Sequence, residues 1–196
     1  MNKFEWWAPV KPFQLLQGFG ENAEYYMKMI KLNGHTGIDL YAPEGTIVYS
    51  AHDGWVTYSG EDGAGGLTIV VRTDKKFEYK GEEVYFKTVY CHFKKGTFMV
   101  KAGDYVYTGT PLAQADSTGL SSGSHLHFGL KPVYKDEADW QWYNLEQSNG
   151  LAGAIDPMPY YNGFFAKDEK MVMNVLNSLV VLLKQYVEQL KGQLNK

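Results

Sequence analysis

The chain has 196 residues, of which 44% are hydrophobic and 21% are charged. This length is enough for one domain with a sizeable core and an appendage. The formal net charge of -3 argues against a nucleic-acid-binding protein. A single cysteine, Cys91, excludes an internal disulfide bond and says little about the compartment.

The N-terminal part of the chain is aromatic and has no clear period. Its first nine residues contain two tryptophans but lack the apolar run of a signal peptide. We predict irregular structure for residues 10–33. Tyr25 and Tyr26 lie in this stretch, shortly before the first histidine.

The first stretch that resembles a functional site is Gly34-His35-Thr36-Gly37-Ile38-Asp39. Its two glycines disfavour a helix. In a straight strand, the Cα atoms of His35 and Asp39 would lie about 13 Å apart, which is too far for a shared ligand site. The glycines would let the chain bend and bring the two side chains together.

The middle of the chain predicts one strand after another. Residues 46–50, 55–58 and 67–71 are β-branched or aromatic runs bounded by Gly and Asp. Residues 60–66 predict a glycine-rich loop that lacks the Lys-Ser/Thr of a phosphate loop. A hairpin turn is predicted near Gly81, with Glu82 and Glu83 in solvent, before a strand over residues 84–92.

Two residues in this region are predicted to be structural. His52 lies in a turn between two strands, and we interpret it as a surface histidine. Cys91 points to the face opposite His92 at the end of its strand. It is therefore predicted to be a core residue rather than a ligand or nucleophile.

The most informative stretch is Ser124-His125-Leu126-His127-Phe128. On a strand, its two imidazoles share one face, with Cα atoms about 6.6 Å apart. They can serve one site, with one ring on a metal and the other beside it. With His35 and Asp39, one of these rings completes a set of three nitrogen and oxygen ligands, His, Asp and His. A fourth position is left for water, which is the arrangement of a catalytic zinc. The alternative is chance, because a lone histidine is more often a surface or hydrogen-bonded residue.

The C-terminal part differs in kind. Residues 131–153 predict an inserted loop whose Trp140 and Trp142 either contact substrate or cap the core. The tail, residues 168–194, predicts an amphipathic helix that self-associates or docks on a partner, with docking on its own β core as the alternative. Its apolar residues follow steps of four and three, and they are Val172, Leu176, Leu179, Leu183, Tyr186 and Leu190. The uncharged run over residues 171–183 is too short to span a bilayer.

Taken in order, these motifs resemble the zinc endopeptidases of the lysostaphin and LytM type. The resemblance covers about residues 17–161. The segments that carry it are Gly34-His35-Thr36-Gly37-Ile38-Asp39-Leu40, Ala42-Pro43-Glu44-Gly45-Thr46, Asp53-Gly54-Trp55-Val56, Tyr90-Cys91-His92-Phe93, and residues 100–106 and 117–128.

The resemblance implies an all-β core of mostly antiparallel sheets with an added C-terminal helix. In this organisation residues 1–16 are an N-terminal aromatic segment. Residues 17–165 are the zinc metallopeptidase domain, and residues 166–196 are the C-terminal amphipathic helix.

The resemblance also implies a site. His35, Asp39 and His127 would hold a Zn²⁺ ion, and His92 and His125 would be the catalytic pair. The implied reaction is hydrolysis of cross-bridge or stem peptides of bacterial peptidoglycan. The candidate substrate contacts are Tyr25, Tyr26, Trp140 and Trp142.

Action on the cell wall by a chain without a signal peptide implies phage-type release, carriage on a virion, or a signal already removed. The alternative function is a non-catalytic regulatory or virion structural module that retains the fold. All five site residues are present, and this favours an active enzyme.

Overall fold

The computed structural model describes residues 3–135 and 142–168, and in the tail residues 179–180, 183–184, 186–187 and 191. Trp140 and much of the predicted tail helix lie outside these residues. Within them, no helix is long and apolar enough to cross a membrane.

The described residues form a mostly β structure, which confirms the predicted fold class. The strands are β1 Trp6–Ala8, β2 Leu15–Gln17, β3 Ile38–Leu40, β4 Ile47–Tyr49, β5 Gly54–Asp62, β6 Gly66–Thr73, β7 Phe77–Tyr79, β8 Glu82–Cys91, β9 Tyr105–Val106, β10 Pro111–Gln114, β11 Leu126–Lys135, β12 Trp142–Asn144 and β13 Tyr161–Phe165. One eight-residue helix, α1, spans Ala23–Ile30. Short 3₁₀ turns span Gly63–Gly65 and Met158–Tyr160.

One large antiparallel sheet organises the domain. Its strands lie in the order β2-β3-β11-β8-β6-β5-β9, while β12 adds to β11 and β7 adds to β8. β4 pairs with β10 as a separate antiparallel ribbon. β1 and β13 pair in parallel, so the two ends of the domain lie side by side.

The two faces of the sheet have different roles. On β8 the even-numbered residues from 84 to 90, and on β11 those from 126 to 132, are buried in the core, as Tyr90 and Phe128 illustrate. The odd-numbered residues point to the other face, because side chains alternate along a strand. That face carries His127, and it becomes the floor of a groove.

The N-terminal segment contributes to the same core. Trp6 is fully buried and donates a hydrogen bond from Nε1 to the carbonyl oxygen of Pro157, at 2.7 Å. Its ring lies 4.6 Å from that of Phe128 and stacks on Tyr161 at 4.7 Å. Buried aromatic pairs of this kind stabilise a fold beyond their area alone.

Three predictions about loops need correction. Residues 10–33 are not irregular throughout, because they contain β2 and α1. The predicted insertion over residues 131–153 is partly sheet, since β11 continues to Lys135 and pairs back with β12. In the predicted glycine-rich loop, β5 and β6 extend inward, so only Gly63–Gly65 remains as the connection. For the strands, backbone pairing of β2 with β3, of β12 with β11 and of β5 with β6 overrides the local composition.

The predicted hairpin at Gly81 is confirmed. β7 pairs with β8 around it, and Glu82 and Glu83 are exposed. Cys91 is buried, as predicted.

The C-terminal tail starts as a helix at residues 166–168, and the further tail residues that the structure describes are helical. Their apolar side chains are exposed: Leu179, Val180, Leu183, Tyr186 and Val187. The rest of the predicted helix lies outside the described residues.

The prediction for His52 is wrong, because this side chain is buried rather than at the surface. Its Nδ1–H donates to the carbonyl oxygen of Asp53 at 2.8 Å, and its Nε2 accepts from the Thr88 hydroxyl at 2.9 Å. The ring also lies edge-on to Phe4 at 5.5 Å. Burial lowers the pKa of His52 to about 4, so the folded protein holds the neutral ring.

A loss of stability in mild acid follows from this buried ring. Below about pH 6.5 the unfolded chain protonates His52 while the folded chain does not, so stability falls as the pH drops toward 4. We expect His52 to account for roughly 2 to 3 kcal/mol of the loss between about pH 7.5 and about pH 4.5. The measurement is urea unfolding of the parent and His52→Gln at both values. An equal loss in both proteins would contradict the prediction.

Candidate metal centre

The loop that carries His35 bends as its glycines predict. β3 begins only at Ile38, and His35 lies in the turn before it. A Cβ on Gly37 would overlap the carbonyl oxygen of Phe128 on β11, so only glycine allows this close approach. The bend places His35 Nε2 3.0 Å from Asp39 Oδ1.

Strand pairing supplies the third member of the cluster. Asp39 on β3 lies directly opposite His127 on β11. His127 Nδ1 is 3.2 Å from Asp39 Oδ1 and 2.8 Å from His35 Nε2. One ligand atom from each residue lies within 4.8 Å of the other two. The structure therefore brings together the three residues that the sequence predicts as ligands.

The hydrogen bonds of His35 fix its tautomer. Its Nδ1 is 3.0 Å from the carbonyl oxygen of Gly18, which can only accept, so Nδ1 carries the proton. Its Nε2 then faces the carboxylate of Asp39. A contact of this length needs either a second proton on the ring, which donates to the carboxylate, or a cation between the two atoms. A carboxylate and two imidazoles are a donor set that fits zinc, and a backbone acceptor behind a ligating histidine is common in such sites.

A second pair of histidines lies beside this cluster. His92 follows β8, and His125 immediately precedes β11, with ring centroids 4.6 Å apart. His92 donates from Nδ1 to the carbonyl oxygen of Thr118 at 2.6 Å, and His125 donates from Nδ1 to that of Gly123 at 2.8 Å. In its neutral form each ring therefore keeps Nε2 as an acceptor, and in its protonated form Nε2–H is a second donor. His125 Nε2 lies 3.5 Å from Asp39 Oδ1.

The backbone at His92 is unusual for a residue with a side chain. Its φ is +66°, in the left-handed region. A non-glycine residue pays about 1 kcal/mol or more to adopt this conformation. Hydrogen bonds on both sides hold it, because the His92 amide donates to the carbonyl of Gly65 and its own carbonyl accepts from the amide of Asp116.

The electrostatics of the cluster favour a charged carboxylate. Burial would raise the pKa of Asp39, but hydrogen bonds with the three surrounding imidazoles outweigh it and hold the pKa well below its usual range. Burial lowers the pKa of His92 to about 4 and also lowers the pKa of His127. Burial lowers the pKa of His125, but the hydrogen bond and the charge of Asp39, together with the carbonyl of Gly123, outweigh it, so the pKa is raised.

The five residues line one groove of about 590 Å³. Tyr25 and Tyr26, predicted as substrate contacts, also line it. The Tyr26 ring stacks on His35 at 5.4 Å, and its hydroxyl accepts from Gln17 Nε2 at 3.2 Å.

Trp140 and Trp142 are both predicted as substrate contacts, and the structure describes only Trp142. Trp142 does not appear in the groove wall among the described residues, and instead its ring covers the Arg72 guanidinium at 4.1 Å. Trp140 lies outside the described residues, so its predicted role stays a prediction.

Sequence reasoning missed part of the groove floor. Val89, Cys91, Gly129 and Lys131 line it. The signal was present in the alternation, since residues two and four positions after His127 must share its face.

This chain is similar in sequence to known peptidases. Residues 33–139 match the family model described as Peptidase family M23. The chain is 33% identical over 109 residues to the peptidoglycan DD-endopeptidase ShyB of Vibrio cholerae. The matched residues cover 54% of this chain and 23% of that protein. The chain spans about a fifth of the length of several such curated relatives.

Solved structures share the fold. The catalytic domain of the antimicrobial peptidase lysostaphin from Staphylococcus simulans is 26% identical, with a TM-score of 0.54, covering 76% of this chain and 91% of that chain. A zinc-containing peptidase from Vibrio cholerae is 24% identical, with a TM-score of 0.56, covering 80% of this chain and 40% of that chain.

Proposed function

Since the chain belongs to peptidase family M23, as the resemblance of its motifs predicts, we propose that it is a zinc-dependent endopeptidase of bacterial peptidoglycan. The observation that carries the proposal is the cluster of His35, Asp39 and His127 beside a second histidine pair, at the base of an open groove. The peptidoglycan substrate is supported by the name of a relative such as ShyB. Action at the cell wall follows from that substrate.

We propose that His35 Nε2, an Asp39 carboxylate oxygen and His127 Nδ1 hold the ion. A bound zinc ion would lower the pKa of a water molecule toward neutrality and polarise the substrate carbonyl. The loop through Gly37 and the pairing of β3 with β11 keep the three donors together. The proton on His35 Nδ1, shared with Gly18, orients that ring.

His92 and His125 are proposed as the catalytic pair. One ring accepts a proton at Nε2 as the general base. The other, protonated at both ring nitrogens, donates a hydrogen bond from Nε2–H to the negative charge that develops on the carbonyl oxygen. Because both rings are fixed through Nδ1 by backbone carbonyls, the geometry supports either order of roles.

The alternative proposal is a non-catalytic module that retains the fold. The presence of all five residues around one groove supports the enzyme instead.

Digestion of purified peptidoglycan tests the function. We expect the full chain to release fragments with new amino termini from at least one of several cross-bridge types, and His125→Ala to release far fewer. Mass spectrometry of the soluble fragments identifies the bond that is cleaved. The absence of new termini from every type would refute the enzyme proposal.

Metal content tests the ligand assignment. The purified protein should carry about one zinc per chain. His127→Ala and Asp39→Ala should lose most of the metal together with the activity, because the remaining donors hold zinc weakly.

The matched control is His125→Ala, which removes an imidazole beside the same carboxylate. It should keep its zinc and lose at least about a hundredfold in rate, as expected for a lost acid-base group. Elemental analysis showing full zinc in His127→Ala and Asp39→Ala would refute the assignment. Zinc loss from His125→Ala, with retention in His127→Ala, would reverse the roles.

We also propose that the tail helix self-associates or docks on a partner. Its described apolar side chains are exposed, which supports an external contact over docking on its own domain. Light scattering of the full chain and of a chain ending at Lys167 tests this. We expect a multimer for the full chain and an active monomer for the shorter one. Two monomers, with the shorter one melting earlier, would favour docking on its own domain.

A further inference from the structure

A row of three basic side chains crosses the sheet beside the metal centre. Lys131 on β11 lies directly opposite Lys87 on β8, and Lys87 lies directly opposite Arg72 on β6. Directly opposed residues have Cβ atoms about 5 Å apart and share one face. This is the face that carries His127, and Lys131 lines the groove. Three positive charges are therefore adjacent on this face, in a row that starts at the groove with Lys131 and continues away from it through Lys87 to Arg72.

The row has little compensating charge. Within residues 3–135 and 142–168, none of the three side chains forms an ion pair with a carboxylate. Asp62, at the end of β5, is the acidic side chain whose charge acts on Lys131. Arg72 Nε is buried and has no hydrogen-bond partner there.

Burial affects both lysines, and at Lys87 the neighbouring positive charges add to it. Burial, followed by the charges of Arg72 and Lys131, lowers the pKa of Lys87. Burial also lowers the pKa of Lys131. Like charges directly opposite one another destabilise a sheet. An anionic ligand would remove the repulsion and complete the hydrogen bonding of the row.

The aromatic side chains next to the row hold Arg72 in place. The guanidinium carbon lies 4.1 Å from the Trp142 ring centroid and 5.2 Å from that of Tyr85. These rings meet edge to face at 5.1 Å. Stacking on the aromatic rings restricts the motion of the guanidinium group. Its N–H groups, which lie in the guanidinium plane, remain available as donors.

The distance from the metal centre sets what could bind. Lys131 lies four residues beyond His127 on the same face, about 13 Å along the strand. Gly129, between them, has no side chain and leaves the floor open. An extended peptide advances about 3.3 Å per residue. With the reach of a lysine side chain, the row can meet a group two to four residues from the bond at the metal centre.

We propose that Arg72, Lys87 and Lys131 form a subsite for a carboxylate of the peptide substrate. Ammonium and guanidinium groups bind carboxylates through charge-assisted hydrogen bonds. The inference rests on the proposed function and narrows its substrate class. Peptides with a free carboxylate two to four residues from the cleaved bond, as in acidic stem peptides, are preferred over uncharged oligoglycine bridges.

Binding of two synthetic peptides tests the subsite. Both have the sequence of a cross-linked stem-peptide dimer, one with free carboxylates and one with every carboxylate converted to a carboxamide. Calorimetry uses the full zinc-loaded chain with His125→Ala, so that the peptides stay intact. The free acid should bind at least about tenfold more tightly at low ionic strength, and salt should reduce the preference.

Charge-removing variants locate the effect. In the same background, Lys131→Gln and Lys87→Gln should each reduce the tenfold preference to about threefold or less. The matched control is Lys101→Gln, which removes one positive charge from an exposed turn outside the groove and should keep the preference. Equal affinity for the two peptides, or no measurable affinity for either, would overturn the inference. So would a full preference in both Lys131→Gln and Lys87→Gln.

Thermal melting separates a binding role from a structural one. Lys131→Gln and Lys87→Gln should each melt at or above the melting temperature of the parent protein, because each substitution removes a repulsive charge. A fall of several degrees in both would show that the row supports the fold, and would also overturn the inference. Neither measurement needs turnover. A preserved binding preference without any cleavage of peptidoglycan would therefore refute the enzyme proposal and leave the subsite in place.

Discussion

The pairing of β11 with β3 on one side and β8 on the other is the constraint on which the site depends. It places His127 opposite both Asp39 and Cys91. Because side chains alternate, a slip of one residue would turn His127 into the core and the aromatic residues into the groove. The backbone contact between Gly37 and Phe128 then fixes how closely the loop with His35 can approach.

Local geometry made much of this site predictable. His35 and Asp39 are separated by three residues, one of which is Gly37, and His125 and His127 share a strand face, so each pair could be predicted from its spacing and its neighbours. The strands of the middle region followed from β-branched and aromatic runs. Alternation along these strands is a property of the backbone and needs no knowledge of the partner strand.

What escaped prediction depends on partners far away in the sequence. His52 is buried because Phe4 and Thr88 close around it, and nothing near it in sequence reveals either contact. α1 forms in an aromatic stretch whose local pattern is ambiguous. The basic row across β6, β8 and β11 exists only through the register of three strands. Each of its members, taken alone in the sequence, predicts an ordinary surface charge.

The separation of the donors along the chain also affects how the protein folds. His35 and His127 are 92 positions apart, whereas β5 with β6 and β7 with β8 are joined by short turns. Local hairpins form quickly, while closing a long loop is slow. A metal ion would meet its complete donor set only after β3 has joined β11. It would then stabilise the native state by mass action. Its effect would fall on the rate of unfolding and leave the rate of folding nearly unchanged.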